Sequence, residues 1–113
     1  MIDISARPPE FQPGQLVKHR RYGYRGVVAE VDLACHAPDQ WYQRNQTQPL
    51  RQQPWYHVLV HQTGTVTYAA QDNLECDDVM SPVEHPLVDV LFDGFDGERY
   101  LRNDRVWEGW SAD

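Results

Sequence analysis

The chain has 113 residues and a formal net charge of −7, with 41% hydrophobic and 12% aromatic residues. A chain this short supports one hydrophobic core, so we expect a single domain. No run approaches the roughly 20 apolar residues that a membrane span needs, and residues 1–10 contain neither a basic leader nor an apolar segment. We therefore expect a folded cytoplasmic protein that does not contact a membrane. Cys35 and Cys76 are expected to be free, buried thiols.

The charge is distributed unevenly along the sequence. Residues 1–70 contain seven basic and five acidic side chains, whereas residues 71–113 contain three basic and twelve acidic ones. The overall acidity argues against a generic coat for nucleic acid, but it leaves room for a basic surface in the first part of the chain.

Residues 11–32 predict two strands, at about 15–20 and 25–32, joined by a turn between Gly23 and Gly26. Apolar residues alternate on both sides of that turn, which is typical of a half-buried hairpin. The hairpin also concentrates cations and tyrosines, which could hold phosphates and present flat apolar surface to a DNA groove. The candidate DNA-binding residues are Lys18, Arg20, Arg21, Tyr22, Tyr24 and Arg25.

The remaining elements follow in order. Pro38 starts a short helix that ends near Arg44, and residues 55–61 and 65–70 form a second hairpin. Residues 74–76 add a short strand. In the tail, apolar residues recur at helical spacing and predict one or two amphipathic turns that end at Gly94 and Gly97. Those apolar residues are Leu87, Val88, Leu91, Phe92 and Phe95.

This pattern predicts an all-β (mainly β) fold, a small SH3-like β-barrel with one short helix and an acidic C-terminal extension. A five-stranded open sandwich fits the same pattern. We expect a flexible N-terminal arm over 1–10, the barrel over 11–80, and an extension over 81–113 that packs on the barrel or on a neighbouring subunit.

Four sequence blocks resemble the YccV-like hemimethylated-DNA-binding domain family, to which the bacterial heat shock protein HspQ belongs. They are residues 14–19 (GQLVKH), 23–32 (GYRGVVAEVD), 54–60 (PWYHVLV) and 67–74 (TYAAQDNL). Their order and spacing cover about residues 11–76. The resemblance implies an SH3-like barrel, a cytoplasmic stress protein that self-associates, and preferential binding of hemimethylated DNA near replication origins. It also implies assistance to a Lon-type ATP-dependent protease.

The sequence argues against metal and cofactor chemistry. His57 and His61 lie on one face of a predicted strand, with Cα atoms roughly 13 Å apart, too far to share one ion. The acidic tail lacks the order of a calcium loop. No phosphate-binding glycine loop, nucleophile elbow or activated cysteine is present. We therefore expect a non-enzymatic protein without a cofactor.

Three hypotheses stay open at this point. The first is a DNA-binding regulator of replication initiation in the stress response, acting through the basic hairpin. The second is a protease adaptor whose aromatic residues Trp107 and Trp110, with the acidic tail, bind a Lon-type protease. The third is an interaction module in which the basic residues are simply solvated surface. We also predict a homo-oligomer, supported by a hydrophobic strip along residues 87–95.

Overall fold

The computed structural model describes residues 7–45 and 47–108. Within these residues the fold is mainly β, as predicted, with a five-stranded antiparallel sheet, a two-stranded sheet and two short α-helices. None of the described helices has the length and apolar character needed to cross a membrane. The strands are β1 (Leu16–His19), β2 (Arg25–Asp32), β3 (Trp55–Val60), β4 (Val66–Ala70), β5 (Leu74–Cys76), β6 (Phe92–Phe95) and β7 (Tyr100–Arg102), and the α-helices are α1 (Asp39–Arg44) and α2 (Val88–Leu91).

The large sheet has the strand order β4-β3-β2-β1-β5, so every consecutive strand from β1 to β4 pairs with its sequence neighbour. The predicted boundaries of β1 to β5 and α1 agree with the structure to within one or two residues. In β2 the pairing register shifts between Val28 and Glu30. Such a shift bends the strand and increases its twist.

Strand alternation divides the apolar residues between the two faces of the large sheet. One face carries Phe11, Val17, Val28, Tyr56, Val58, Ala69 and Leu74. The other carries Leu16, Val27, Ala29 and Leu59, and is covered by Val83, Leu91, Phe92 and Tyr100 from the C-terminal segment. The hydrophobic core therefore depends on residues before and after position 81.

The C-terminal segment contains one of the one or two helical turns that the sequence predicts, but it does not continue to Gly94. Helix α2 ends at Leu91, and the chain then continues as strand β6, which pairs with β7. The register of that pair shifts between Phe92 and Phe95, so the period of two that marks a strand is lost from the sequence. Leu91 and Phe92 are buried in the core of this chain. The strip along residues 87–95 is thus largely covered within the molecule rather than exposed.

The hairpin of β6 and β7 is held to the large sheet through the backbone of Gly14. The N–H of Tyr100 donates to the Gly14 carbonyl at 2.8 Å, and the Tyr100 hydroxyl accepts from the Val83 N–H at 2.9 Å. Gly14 has φ +96°, and a Cβ there would lie 2.1 Å from the Tyr100 carbonyl oxygen. Only glycine allows this close approach without a backbone shift.

Candidate nucleic-acid interface

The turn between β1 and β2 is ordered by His19. Its Nδ1 accepts hydrogen bonds from the backbone N–H groups of Arg21 at 3.1 Å and Tyr22 at 3.0 Å. Its ring stacks on Tyr22 with centroids 4.6 Å apart, and lies 5.0 Å from the ring of Tyr24. Gly23 closes the turn with φ +77° and donates to the His19 carbonyl at 2.9 Å. A buried histidine therefore fixes the loop that presents the cations.

Burial lowers the pKa of His19, and the positive charge of Arg21 lowers it further. The neutral imidazole fits the geometry, because a ring nitrogen that accepts two N–H groups cannot itself carry a proton. At neutral pH the ring proton therefore resides on Nε2, and the turn keeps both of its hydrogen bonds.

Arg20 and Arg21 are both exposed at the tip of this turn. The Arg20 guanidinium donates from Nε to the Leu74 carbonyl at 3.1 Å and lies 3.4 Å from a carboxylate oxygen of Glu75. Its side chain is still 57% exposed. The Arg21 guanidinium lies 5.9 Å from the centroid of the Tyr22 ring. The turn thus offers two cations and one exposed aromatic ring to a partner.

Lys18 and Arg25 are placed differently from the rest of the predicted set. They are paired across β1 and β2, and directly paired residues share one side of a sheet, so both lie opposite to the side of His19. Lys18 is exposed there. Arg25 is not available in the same way, because its Nε lies 2.6 Å from a carboxylate oxygen of Asp77, and its other nitrogens donate to the carbonyls of Ser81 and Pro82.

A pocket of about 260 Å³ opens beside the turn, on the side of His19. Tyr22 and Tyr24 reach it from the turn, Trp41 from helix α1, and Trp55 and Tyr68 from β3 and β4. The hydroxyl of Tyr24 bonds to Thr67 Oγ1 at 2.7 Å, which holds its ring against the edge strand. Amide and hydroxyl groups from residues 45, 47, 67 and 73 complete the lining.

The far wall of the pocket is held by Asp32. The Tyr68 hydroxyl donates to Asp32 Oδ2 at 2.6 Å, and His57 Nε2 lies 3.1 Å from the same oxygen. Burial raises the pKa of Tyr68, and the hydrogen bond to the carboxylate raises it further, so the hydroxyl stays protonated. Burial also lowers the pKa of His57, against the opposing effect of Asp32. Among residues 7–45 and 47–108, no group of three or more His, Cys, Asp or Glu side chains is placed so that it could hold a metal ion.

This pocket has no counterpart among the sites predicted from the sequence. Trp41, Trp55 and Tyr68 are far apart in sequence, and their ring centroids come within 5.2–6.1 Å of one another only in the fold. The available signal was the density of aromatic residues in the predicted helix and in both strands of the second hairpin.

Of the two predicted partner-binding tryptophans, Trp107 and Trp110, the structure describes only the first. Trp110 lies outside the described residues. Trp107 is half-buried rather than exposed: it packs against the core cluster of Leu16 and Phe92, and its ring centroid lies 5.3 Å from that of His57. A role of Trp107 in binding a partner stays a prediction.

The fold and this surface define a small antiparallel β-domain that presents two cations and an exposed tyrosine beside an aromatic pocket. A family model described as "hemimethylated DNA-binding protein YccV like" matches residues 9–99. The chain belongs to this YccV-like family, which confirms the resemblance drawn from its sequence blocks.

Curated relatives include F-box only protein 21 from Homo sapiens, Pongo abelii and Mus musculus. Each is 37% identical to this chain over 93 residues, which is 80% of this chain and 15% of the relative. The chain thus spans about 15% of the length of these relatives, and the match concerns one segment of each. These relatives are therefore much longer proteins than this chain.

Proposed function

We propose that this chain is a non-enzymatic binder of hemimethylated DNA that contacts the duplex through the turn between β1 and β2. Membership of a family described as hemimethylated DNA-binding supports this function. The observation that carries the assignment to the turn is the exposure of Arg20 and Arg21 beside the 52% exposed ring of Tyr22.

The two arginines supply the attraction to phosphate and Tyr22 supplies an apolar surface. Cations at the phosphates position a protein on DNA, whereas contacts with base edges in the major groove carry the sequence information. A methyl group in that groove is an apolar feature that a tyrosine ring can contact. Lys18 is the next candidate cation, whereas Arg25 is already engaged by Asp77 and is left out of the proposed set.

The electrostatics predict weak binding by one copy. Each neutralised phosphate contributes about −0.9 to the slope of log K against log salt, so two contacts give about −2. Between 50 and 200 mM salt the affinity should fall roughly tenfold on this basis. The net charge of −7 opposes association further.

The test is a titration with three duplexes of one sequence, unmethylated, hemimethylated and fully methylated, at two salt concentrations. We expect the hemimethylated duplex to bind most tightly at both. Arg21→Ala should reduce the salt slope by about one unit, whereas Arg105→Ala, which removes an exposed arginine from the C-terminal segment, should not. Equal binding of all three duplexes, lost together as salt rises, would refute recognition of the methyl group.

A second candidate function is docking on a Lon-type ATP-dependent protease. It is supported by the apolar surface near Trp107, where Val90 and Val106 are 40% and 79% exposed and line a shallow cavity of about 220 Å³ with Leu87. Val106→Asp should reduce stimulation of the protease, and Val79→Asp, at a 61% exposed site elsewhere, should not. A Val106 variant that stimulates as well as the parent protein would count against this surface.

The roles in replication initiation and in the stress response, and the cytoplasmic location, are supported by the family resemblance. Self-association is also a proposal, and the apolar surface of Val90 and Val106 is its candidate interface. Sedimentation that shows only monomer at micromolar concentration would overturn it.

A further inference from the structure

The aromatic pocket beside the turn has a volume and an aromatic lining that suit one planar group. Its volume of about 260 Å³ is below the roughly 300–1,000 Å³ of pockets that enclose drug-sized ligands. The rings that line it come from two directions. His19 ends β1, and Tyr22 and Tyr24 belong to the turn that follows it. Trp41, Trp55 and Tyr68 belong to α1, β3 and β4.

The polar groups of the pocket suit a neutral ligand with a hydrogen-bonding edge. Asn45, Asn73, Thr47 and Thr67 bring amide and hydroxyl groups into the lining. Trp55 adds an aromatic ring to the same lining. Amide and hydroxyl groups can each donate or accept a hydrogen bond, so they can meet either kind of polar edge.

The charge of the pocket argues against a cationic ligand. Aromatic cages also bind quaternary ammonium groups, and a carboxylate beside the cage would strengthen the binding of such a cation. Among the described residues, none of those that line this pocket is acidic, and the Asp32 carboxylate that holds its far wall already accepts a hydrogen bond from the Tyr68 hydroxyl. Instead, the exposed Arg20 and Arg21 lie in the chain between His19 and Tyr22, two of the residues that line the pocket, although Arg20 also lies 3.4 Å from Glu75. This arrangement fits an aromatic base whose attached phosphates lie at the rim.

We propose that the pocket accepts a single base turned out of the DNA duplex, while the arginines of the turn hold the backbone on either side of it. This inference rests on the proposed DNA-binding function and deepens it. Bases that leave the stack are held in proteins by stacking on aromatic rings and by hydrogen bonds to their exposed edge. A base outside the duplex would expose its methyl group to direct contact with the lining side chains, including the partly exposed ring of Tyr22.

The test compares the affinity for two hemimethylated duplexes. In one the methylated base is correctly paired, and in the other it faces a non-complementary base. Extrusion costs least for a mismatched base, so a protein that extrudes it should bind the mismatched duplex about tenfold more tightly. Separate arms use N6-methyladenine and 5-methylcytosine, which distinguishes the base that the pocket takes.

Two variants test whether the preference for the mismatched duplex depends on this pocket. Tyr22→Ala and Trp41→Ala should each bring the ratio of the two affinities close to one, since they remove stacking surfaces from the two walls. Tyr22 is 52% exposed, so its removal leaves the core intact, and Leu101→Ala, at a site that is also 52% exposed but lies on β7, serves as the control that keeps the ratio.

The outcomes separate this inference from the function on which it rests. If all duplexes bind with the expected dependence on salt but the ratio is one, or Tyr22→Ala leaves it unchanged, base extrusion is refuted and DNA binding stands. If no duplex binds, the proposed function falls and this inference falls with it. Binding of a trimethyl-lysine peptide that depends on Tyr22 would instead identify the pocket as a cation site and overturn the inference.

Discussion

Replacing Arg25 with methionine should destabilise the fold rather than weaken contacts with DNA. Its side chain is 17% exposed, and its Nε lies 2.6 Å from a carboxylate oxygen of Asp77, whose side chain is 1% exposed. The guanidinium also donates to the carbonyls of Ser81 and Pro82. Arg25 thus joins the start of β2 to the chain segment that leads into the C-terminal part of the core.

The size of the effect follows from the buried carboxylate. Breaking a buried ion pair by removing one partner costs about 3–5 kcal/mol, because the other charge stays uncompensated. Asp77 keeps one hydrogen bond, from the Val79 N–H to Oδ1 at 3.2 Å, so we expect the lower end, about 3 kcal/mol. That is a large share of the roughly 5–15 kcal/mol that stabilises a domain.

Urea denaturation at neutral pH measures this loss as a lower midpoint. Arg105→Met provides the matched control, since it removes the same group from an exposed site, and it should cost less than about 0.5 kcal/mol. A cost for Arg25→Met of no more than about 1 kcal/mol, the range of exposed ion pairs, would refute a buried structural role. If the folded Arg25 variant binds DNA with a salt slope that is smaller by about one unit, Arg25 contacts a phosphate after all.

Two further predictions concern the same turn. Glu75→Gln should strengthen DNA binding by a few fold, because it removes the carboxylate that lies 3.4 Å from Arg20 and would repel phosphate. Stability in urea should fall as the pH drops below 6.5, since burial lowers the pKa of both His19 and His57 and the unfolded chain then binds more protons. His19→Gln should reduce that loss.

Each of these predictions has a control. Glu98→Gln changes an exposed carboxylate on the turn between β6 and β7 and should leave DNA affinity nearly unchanged; an equal gain in both variants would point to net charge alone. For the pH dependence, the urea midpoint is compared above and below the ordinary histidine pKa of 6.5. A midpoint that rises on acidification would contradict the sign, which follows from a pKa that is lower in the folded state.

The first five strands were predictable because their signals are local. Alternation in β2 and the run of aromatic and β-branched residues in β3 identify strands without any knowledge of their partners. Pro38 and the turn glycines mark boundaries for the same reason. The C-terminal hairpin was not predictable, because the shifted register between Phe92 and Phe95 removes the period of two and leaves a pattern that a helix fits equally well.

The candidate site divides in the same way. The sequence alone determined that cations and tyrosines cluster at one turn, since neighbours in sequence stay neighbours at a tight turn, and it determined the family through its four blocks. Only the tertiary structure decided which of those cations are available. It paired Arg25 with Asp77, 52 positions away, and it brought Trp41, Trp55 and Tyr68 together beside Tyr22. Contacts between distant segments depend on how the strands pair and bend, and no local pattern records that geometry.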